Sequence, residues 1–160
     1  MNYVSEHISW GDAIRSDTAK RNGILNYFTP DQLTRMTTLA EKVYEPLVKH
    51  FNCTMYISSF FRNKKVNELI GGAKTSQHMA NNGAAMDLDA DGSNDDITNQ
   101  QIFDYIKDNL DFDQLIGEDI RPDGSIGWVH VSYVHPTWNR KEVLTMVLDN
   151  GIKVYEPYKS

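Results

Sequence analysis

Residues 76–89, with the sequence SQHMANNGAAMDLD, decide how this chain folds and what it can bind. His78 and Asp87 in this stretch are candidate ligands of a metal ion. Between them, Gly83 and two alanines let the backbone turn and pack closely. The residues that follow predict a short strand, whose alternation places Asp87 on the opposite face from Leu88. The stretch therefore predicts a turn that carries an imidazole, joined to a strand that carries a carboxylate.

A second stretch, residues 128–133 with the sequence WVHVSY, predicts a strand that carries His130 as a third candidate ligand. Trp128 and Ser132 share the face of His130, because alternate side chains of a strand point the same way. Two histidines and one carboxylate are typical of a catalytic rather than a structural zinc site, since the fourth position stays open for water. Such nitrogen and oxygen donors favour zinc over magnesium or calcium.

These two stretches resemble the zinc D-alanyl-D-alanine peptidases, whose pattern runs Ser-x-His-x-x-Gly-x-Ala-x-Asp and later Trp-x-His-x-Ser. The likeness extends from about Ser9 to Tyr155, in the order seen in the phage and prophage branch of that family. One departure is that eight residues, rather than six, separate the first histidine from the aspartate. We place the two extra residues near Asn81. Four further matching segments are SSFFR at 58–62, VN at 66–67, GG at 71–72 and FDQLIGE at 112–118.

The resemblance implies roles for several residues besides the zinc ligands His78, Asp87 and His130. Glu118 is the predicted general base, which takes a proton from the attacking water and passes it to the leaving amine. Many relatives carry an acidic residue three positions before the last histidine, but that position is Gly127 here.

Substrate binding is predicted at a further group of side chains. Arg62 matches the family arginine that holds substrate, and its guanidinium suits a terminal carboxylate or a developing oxyanion. Ser76 and Gln77 shape the loop that carries His78, or contact the substrate. The complete predicted substrate-binding set is Arg62, Ser76, Gln77, Trp128 and Ser132.

Composition and charge limit the class of protein. The chain has 160 residues, of which 40% are hydrophobic and 24% are charged, so we expect one globular domain over residues 1–160. A net charge of −6 argues against nucleic-acid binding. No stretch approaches the roughly 20 apolar residues of a membrane span. The N-terminus lacks the regions of a secretory signal, so a phage-encoded protein would be in the host cytoplasm before lysis or in a phage particle.

The pattern of helices and strands predicts an α+β domain with a mainly antiparallel sheet, the hedgehog-like fold of the zinc peptidases. Helices are predicted to start at the capping residues Ser9, Thr29 and Thr98. Pro46 should kink or loosen the helix that starts at Thr29. Strands are predicted over 54–58, 84–88, 112–116 and 127–134, followed by a hairpin of residues 142–148 and 152–155.

Three functions remain open at this point. The first is a zinc-dependent peptidase that cuts peptidoglycan, as a D-Ala-D-Ala carboxypeptidase or as an endolysin-type endopeptidase. The second is a catalytically weak or inactive phage structural or cell-wall-binding module, with other phage-particle proteins as partners. The third is a calcium-binding module, because Asp87, Asp89, Asp91 and Gly92 match the start of an EF-hand loop. Position 12 of that loop is Thr98 rather than glutamate, which argues against calcium.

Overall fold

A computed structural model describes residues 2–92 and 96–160, which form a central sheet and several short helices. The helices are α1 Trp10–Ile14, α2 Asp17–Arg21, α3 Pro30–Leu39, α4 Glu45–Phe51, α5 Lys64–Leu69 and α6 Asn99–Asn109. The strands are β1 Tyr3–Ser5, β2 Ile8–Ser9, β3 Tyr56–Ser59, β4 Ala84–Asp89, β5 Gln114–Glu118, β6 Trp128–Tyr133, β7 Glu142–Asp149 and β8 Ile152–Pro157. Short 3₁₀ turns cover Gln77–Met79 and Ala90–Gly92. No helix of these residues is long and apolar enough to cross a membrane.

The main sheet has the strand order β3-β4-β6-β5-β7-β8 within the described residues. Neighbouring strands are antiparallel except β5 and β7, which run parallel. The small β1–β2 hairpin is a separate antiparallel pair. The predicted α+β class is therefore confirmed, with one parallel pairing that the sequence pattern did not indicate. The extent of the domain over residues 1–160 stays a prediction.

The three predicted helix starts are confirmed by their capping hydrogen bonds. The side chain of Ser9 accepts a hydrogen bond from the backbone of Asp12, and the Asp12 carboxylate accepts one from the backbone of Ser9. The same reciprocal pair forms at the start of α3 and again at the start of α6. These caps satisfy backbone N–H groups that have no partner inside the helix, so the sequence places each helix start accurately.

Pro46 lies at the second position of α4, immediately after an irregular turn. Residues Ala40–Tyr44 form a π-helical turn that joins α3 to α4. A proline has no N–H to donate and its ring crowds the preceding turn, so the regular helix cannot continue unchanged through this point. The predicted loosening of the helix is confirmed, and it takes the form of a wider turn before the proline.

The sheet has one face on the core and one face free for a site. Met86, Leu88, Val129 and Val131 are fully buried in the hydrophobic core against helices such as α3 and α6. Side chains alternate along a strand, so Asp87, between Met86 and Leu88, is on the opposite face. The apolar residues of β4 and β6 therefore fix which of their polar side chains face away from the helices.

The loop before β4 has two residues with positive φ and is attached to α3 by hydrogen bonds. Ala80 has the left-handed φ of 54°, and Gly83 has a φ of +72°. The side chain of Gln32 on α3 donates a hydrogen bond to Asn81 and another to the carbonyl of Met79. Residues 79–83, where the sequence analysis places the two extra residues, therefore lie in a loop that is held against α3, and that placement stays a prediction.

We expect Gly83→Ala to destabilise the fold, because a Cβ at this position would lie 2.4 Å from the carbonyl oxygen of Tyr133. The left-handed backbone and this overlap together should cost about 3 kcal/mol. Gly23→Ala is the matched control, since Gly23 has a φ of +62° and nothing within 4 Å of a Cβ. It should cost only about 1 kcal/mol. Chemical denaturation measures both, and equal losses would contradict the steric explanation.

Candidate metal site and catalytic cleft

The three predicted ligands lie together on the open face of the sheet. Asp87 on β4 is the direct antiparallel partner of His130 on β6, and His130 Nδ1 lies 3.0 Å from Asp87 Oδ1. His78 Nε2 approaches the same oxygen at 3.3 Å, from the 3₁₀ turn before β4. One ligand atom from each residue lies within 4.8 Å of the other two. The sequence prediction that these side chains meet is therefore confirmed.

The spacing of these atoms fits a single small cation. A zinc ion with ligands at about 2.0–2.1 Å in tetrahedral geometry places neighbouring ligand atoms about 3.3 Å apart. The two distances to Asp87 Oδ1, 3.0 and 3.3 Å, are close to that value. Two imidazole nitrogens and one carboxylate oxygen also match the donor set of a catalytic zinc site. The residues thus fit the metal that the sequence predicted.

His78 is held in the orientation that a metal ligand needs. Its Nδ1 lies 2.7 Å from the carbonyl oxygen of Phe60, which can only accept a hydrogen bond. Nδ1 therefore carries a proton, and Nε2, which faces Asp87, is the ring nitrogen that remains to bind a cation. Burial lowers the pKa of His78, which favours the neutral imidazole that metal binding requires.

Asp87 is a buried carboxylate that is surrounded by positive or polar partners. Burial acts to raise the pKa of Asp87, but the imidazoles of His78 and His130 outweigh it and hold this pKa well below its usual range. Arg62 Nη2 lies 3.4 Å from Asp87 Oδ2, while Arg62 Nε donates a hydrogen bond to Ser59 Oγ. Asp87 is therefore ionised, with Oδ1 facing the histidines and Oδ2 facing Arg62.

The cluster lines a cleft of about 910 Å³. Arg62 and Glu118 are on its walls together with the cluster, and so is Trp128. This volume suits a short segment of peptide rather than a single ion or water molecule. The cleft therefore places the candidate metal site where a polymeric or peptide substrate has access to it.

Glu118 lies at the end of β5, paired with Trp128 of β6. Its side chain faces the cleft although the residue is only 6% exposed. Among the described residues, Oε2 of Glu118 has no hydrogen-bond partner. Burial raises the pKa of the Glu118 carboxyl, and the charge of Asp87 acts in the same direction. A buried carboxylate without a fixed partner, beside three metal-ligand side chains, is what a proton acceptor at this site requires.

Comparison with known families supports this interpretation of the cleft. The sequence model of the family described as Peptidase M15 matches residues 7–118, which are 112 of the 160 residues. The chain belongs to the Peptidase M15 family. The matched region contains His78 and Asp87 and ends at Glu118. His130 lies beyond it, and the structure places His130 beside the other two residues. No curated protein matches the sequence.

Gly127 shows why this M15 chain has no acidic residue three positions before His130. A Cβ on Gly127 would lie 2.9 Å from Asp119 Cβ and 3.0 Å from the Glu118 carbonyl oxygen. The N–H of Gly127 also donates a hydrogen bond to that carbonyl. A carboxylate side chain therefore does not fit at position 127, whereas the side chain of Glu118 lines the cleft.

The predicted substrate-binding residues have different surroundings. Gln77 lines the cleft, but its side-chain amide donates hydrogen bonds to Asp113 and to the carbonyl of Asn82, so it shapes the ligand loop. Ser76 also lines the cleft, and its hydroxyl accepts a hydrogen bond from the backbone of His78. Ser132 is fully buried.

The prediction that Ser132 binds substrate is wrong. The Ser132 hydroxyl accepts a hydrogen bond from the backbone N–H of Gln114 on the neighbouring strand, and none of its surface is accessible. Alternation predicts that Ser132 shares the face of His130, but it could not show that this position is fully buried. Arg62 and Trp128 line the cleft, and their substrate contacts stay predictions.

Sequence reasoning missed a polar support for the cleft centred on Asp113. The Asp113 carboxylate, nearly fully buried, accepts hydrogen bonds from Gln77 and from Nε and Nη2 of Arg140. Burial acts to raise the pKa of Asp113, yet these bonds outweigh it and lower the pKa. The ligand loop and the segment that carries Arg140 are thereby tied together. Asp113 belongs to a segment that resembles the family, but nothing in the sequence pairs it with Arg140.

The EF-hand alternative is not supported by the described residues. Asp87, its first position, is in a strand and contacts the histidines. The Asp89 carboxylate accepts hydrogen bonds from Asn99 and from the backbone of Asp91, while Asp91 pairs with Arg121. The first three acidic residues therefore have separate partners instead of converging on one point. Residues 93–95 of that segment lie outside the described part of the chain.

We expect protein purified without added metal to hold one divalent metal ion per chain. His78→Ala and His130→Ala should each remove stoichiometric binding, because each deletes one of three protein ligands. Elemental analysis by mass spectrometry provides the measurement. His135→Ala is the control, since His135 is exposed, contacts the ring of Trp138 and is not one of the three clustered residues. Full metal content in His78→Ala would show that the ligand assignment is wrong.

Proposed function

We propose that this M15 chain is a zinc peptidase that cleaves peptide bonds in the stems or cross-links of peptidoglycan. Membership of the family supports a metallopeptidase. The observation that carries the proposal is the cluster of His78, Asp87 and His130 in one cleft with the buried, unpartnered carboxylate of Glu118. The choice of peptidoglycan rests on the resemblance of the two ligand motifs to the zinc D-alanyl-D-alanine peptidases.

Zinc is the proposed metal, held by His78 Nε2, Asp87 Oδ1 and His130 Nδ1. When bound, zinc lowers the pKa of a coordinated water to about 7 and polarises a carbonyl group. The protein contributes the fixed arrangement of the ligands. Asp87 and His130 are on paired strands, while the Phe60 carbonyl fixes the tautomer of His78, so these side chains need little rearrangement.

Glu118 is the proposed general base. Its carboxylate would take the proton of the attacking water and deliver it to the amine that leaves when the peptide bond breaks. The burial of Glu118 supports both steps, because a raised pKa brings the group closer to neutral pH, where it can accept a proton and release it again. A freely solvated glutamate would be a weaker proton acceptor at the same pH.

Arg62 has a proposed double role in the cleft. Its bond to Asp87 Oδ2 orients the carboxylate whose other oxygen faces the histidines. Arg62 also lines the cleft, where a guanidinium suits a substrate carboxylate or the negative charge that develops on the carbonyl oxygen. We propose that it positions the ligand and binds substrate with different donors of the same group.

The inactive cell-wall or phage-particle module is the second candidate. It rested on the two extra residues between His78 and Asp87 and on the glycine at position 127. Whatever the position of the extra residues, His78 Nε2 and Asp87 Oδ1 lie 3.3 Å apart, a spacing that suits two ligands of one metal ion. Glu118 occupies the cleft where Gly127 cannot carry an acid. Both observations favour the enzyme, with an endolysin-type endopeptidase and a carboxypeptidase as its two forms, distinguished by the masses of the released fragments.

We expect Glu118→Gln to lower the rate at which fragments are released from peptidoglycan by roughly 10²–10⁴-fold, the usual contribution of a general acid–base group. The substitution keeps the shape of the side chain but removes the proton acceptor. Zinc content should stay complete, because Glu118 is outside the cluster of three ligands. Mass spectrometry of digests measures turnover, and elemental analysis measures the metal.

Asp119→Asn is the matched control for this experiment. Asp119 is adjacent to Glu118 in the chain but does not line the cleft, so its loss should change the rate little. A large loss in Asp119→Asn, with Glu118→Gln nearly normal, would move the base by one residue. Release of no fragments by zinc-loaded parent protein, from any peptidoglycan type tested, would instead support the inactive module.

A further inference from the structure

Three cationic side chains line the cleft, and two of them have acidic partners. Arg62 pairs with Asp87. Arg140 pairs with Asp113 and with Glu142. Lys153 is exposed at the cleft, and within the described part of the chain its side chain forms no ion pair or hydrogen bond. Of these three side chains, Lys153 is therefore the one whose charged group has no acidic partner in contact with it and can bind a ligand.

The register of the sheet places Lys153 on the wall next to the proposed base. Lys153 and Tyr155 are alternate residues of β8, so they share one face, and both line the cleft. Tyr155 pairs with Met146 of β7, and β7 is the parallel neighbour of β5, which ends at Glu118. Tyr155, Glu118 and Asp87 line the same cleft. Burial raises the pKa of Tyr155, and the negative charges of Glu118 and Asp87 act in the same direction.

We propose that Lys153 binds a carboxylate of the peptide substrate close to the bond that is cut, so that the enzyme prefers acidic peptides. This inference rests on the proposed function and names the substrate class of the same cleft. The ammonium group can donate charge-assisted hydrogen bonds to a carboxylate. Since the chain has a net charge of −6, it repels acidic peptides overall, and a local cation offsets that repulsion at the site.

A competing role for Lys153 is to act on Glu118 alone. The positive charge of Lys153 acts to lower the pKa of Glu118, so its removal could change the rate without any contact to substrate. Affinity measured in the Glu118→Gln background separates the two roles. A residue that acts only through the Glu118 carboxylate has no effect on peptide binding once that carboxylate is gone.

The test uses three synthetic peptides of one sequence, with the zinc-loaded protein. The first has a free internal carboxylate and a free C-terminal carboxylate, and the other two have one or the other converted to an amide. Dissociation constants are measured by calorimetry for Glu118→Gln with and without Lys153→Met. Values of kcat/KM are measured for the parent and for Lys153→Met. Lys159→Met is the control, because Lys159 is also exposed in the C-terminal segment but does not line the cleft.

We expect Lys153→Met to weaken binding of the doubly acidic peptide roughly tenfold in the Glu118→Gln background, the size of one charge-assisted hydrogen bond at an exposed site. One of the two amidated peptides should lose this sensitivity, and that peptide identifies the carboxylate that Lys153 binds. Lys159→Met should leave all three affinities unchanged.

Other results would overturn the inference. Equal losses on all three peptides, or a changed pH–rate profile with unchanged affinities, would show that Lys153 does not bind a substrate carboxylate. If the parent cleaves the peptides and Lys153→Met has no effect, the inference fails while the proposed function stands. If the parent cleaves none of them but binds them with the expected dependence on Lys153, the proposed peptidase function fails and the carboxylate subsite stands.

Discussion

The site depends on the buried carboxylate of Asp87. A buried charge is costly unless partners surround it, and here one oxygen faces both histidines while the other faces Arg62. These partners come from three different segments: the turn before β4, strand β6 and the segment after β3. The position of β4 between β3 and β6 brings all of them to one carboxylate. The metal site is therefore a consequence of strand order as much as of residue type.

The alternation of the strands keeps this polar cluster apart from the core. Met86 and Leu88 pack with the helices, and Asp87 between them faces the cleft. A shift of one residue in the β4–β6 register would exchange these faces, bury Asp87 among apolar side chains and separate it from His130. The same contacts that stabilise the core thus fix the geometry of the ligands.

The sequence predicted the helix starts and the grouping of His78, Asp87 and His130 from local patterns, and it predicted Glu118 from the family resemblance. His78 and Asp87 are in one short motif, and the caps at Ser9 and Thr29 are defined by residues three positions apart. Features that depend on distant segments were missed. One is the bond between Asp113 and Arg140, which are far apart in the sequence. Another is the burial of Ser132, which bonds to the backbone of Gln114 only when β5 and β6 pair. Alternation predicts the face of a residue and not its depth.

The two halves of the cleft have different relations to the family pattern. The matched region supplies His78, Asp87 and Glu118, whereas Lys153 and Tyr155 are on a hairpin beyond it. That hairpin reaches the cleft through the parallel pairing of β7 with β5, which does not involve the strands that carry the ligands. Side chains of β8 can therefore change without moving the metal site. In the proposals made above, the strands that carry His78, Asp87, His130 and Glu118 hold the metal and the base, and the hairpin at the edge of the sheet selects the peptide, so the two roles lie on separate parts of the sheet.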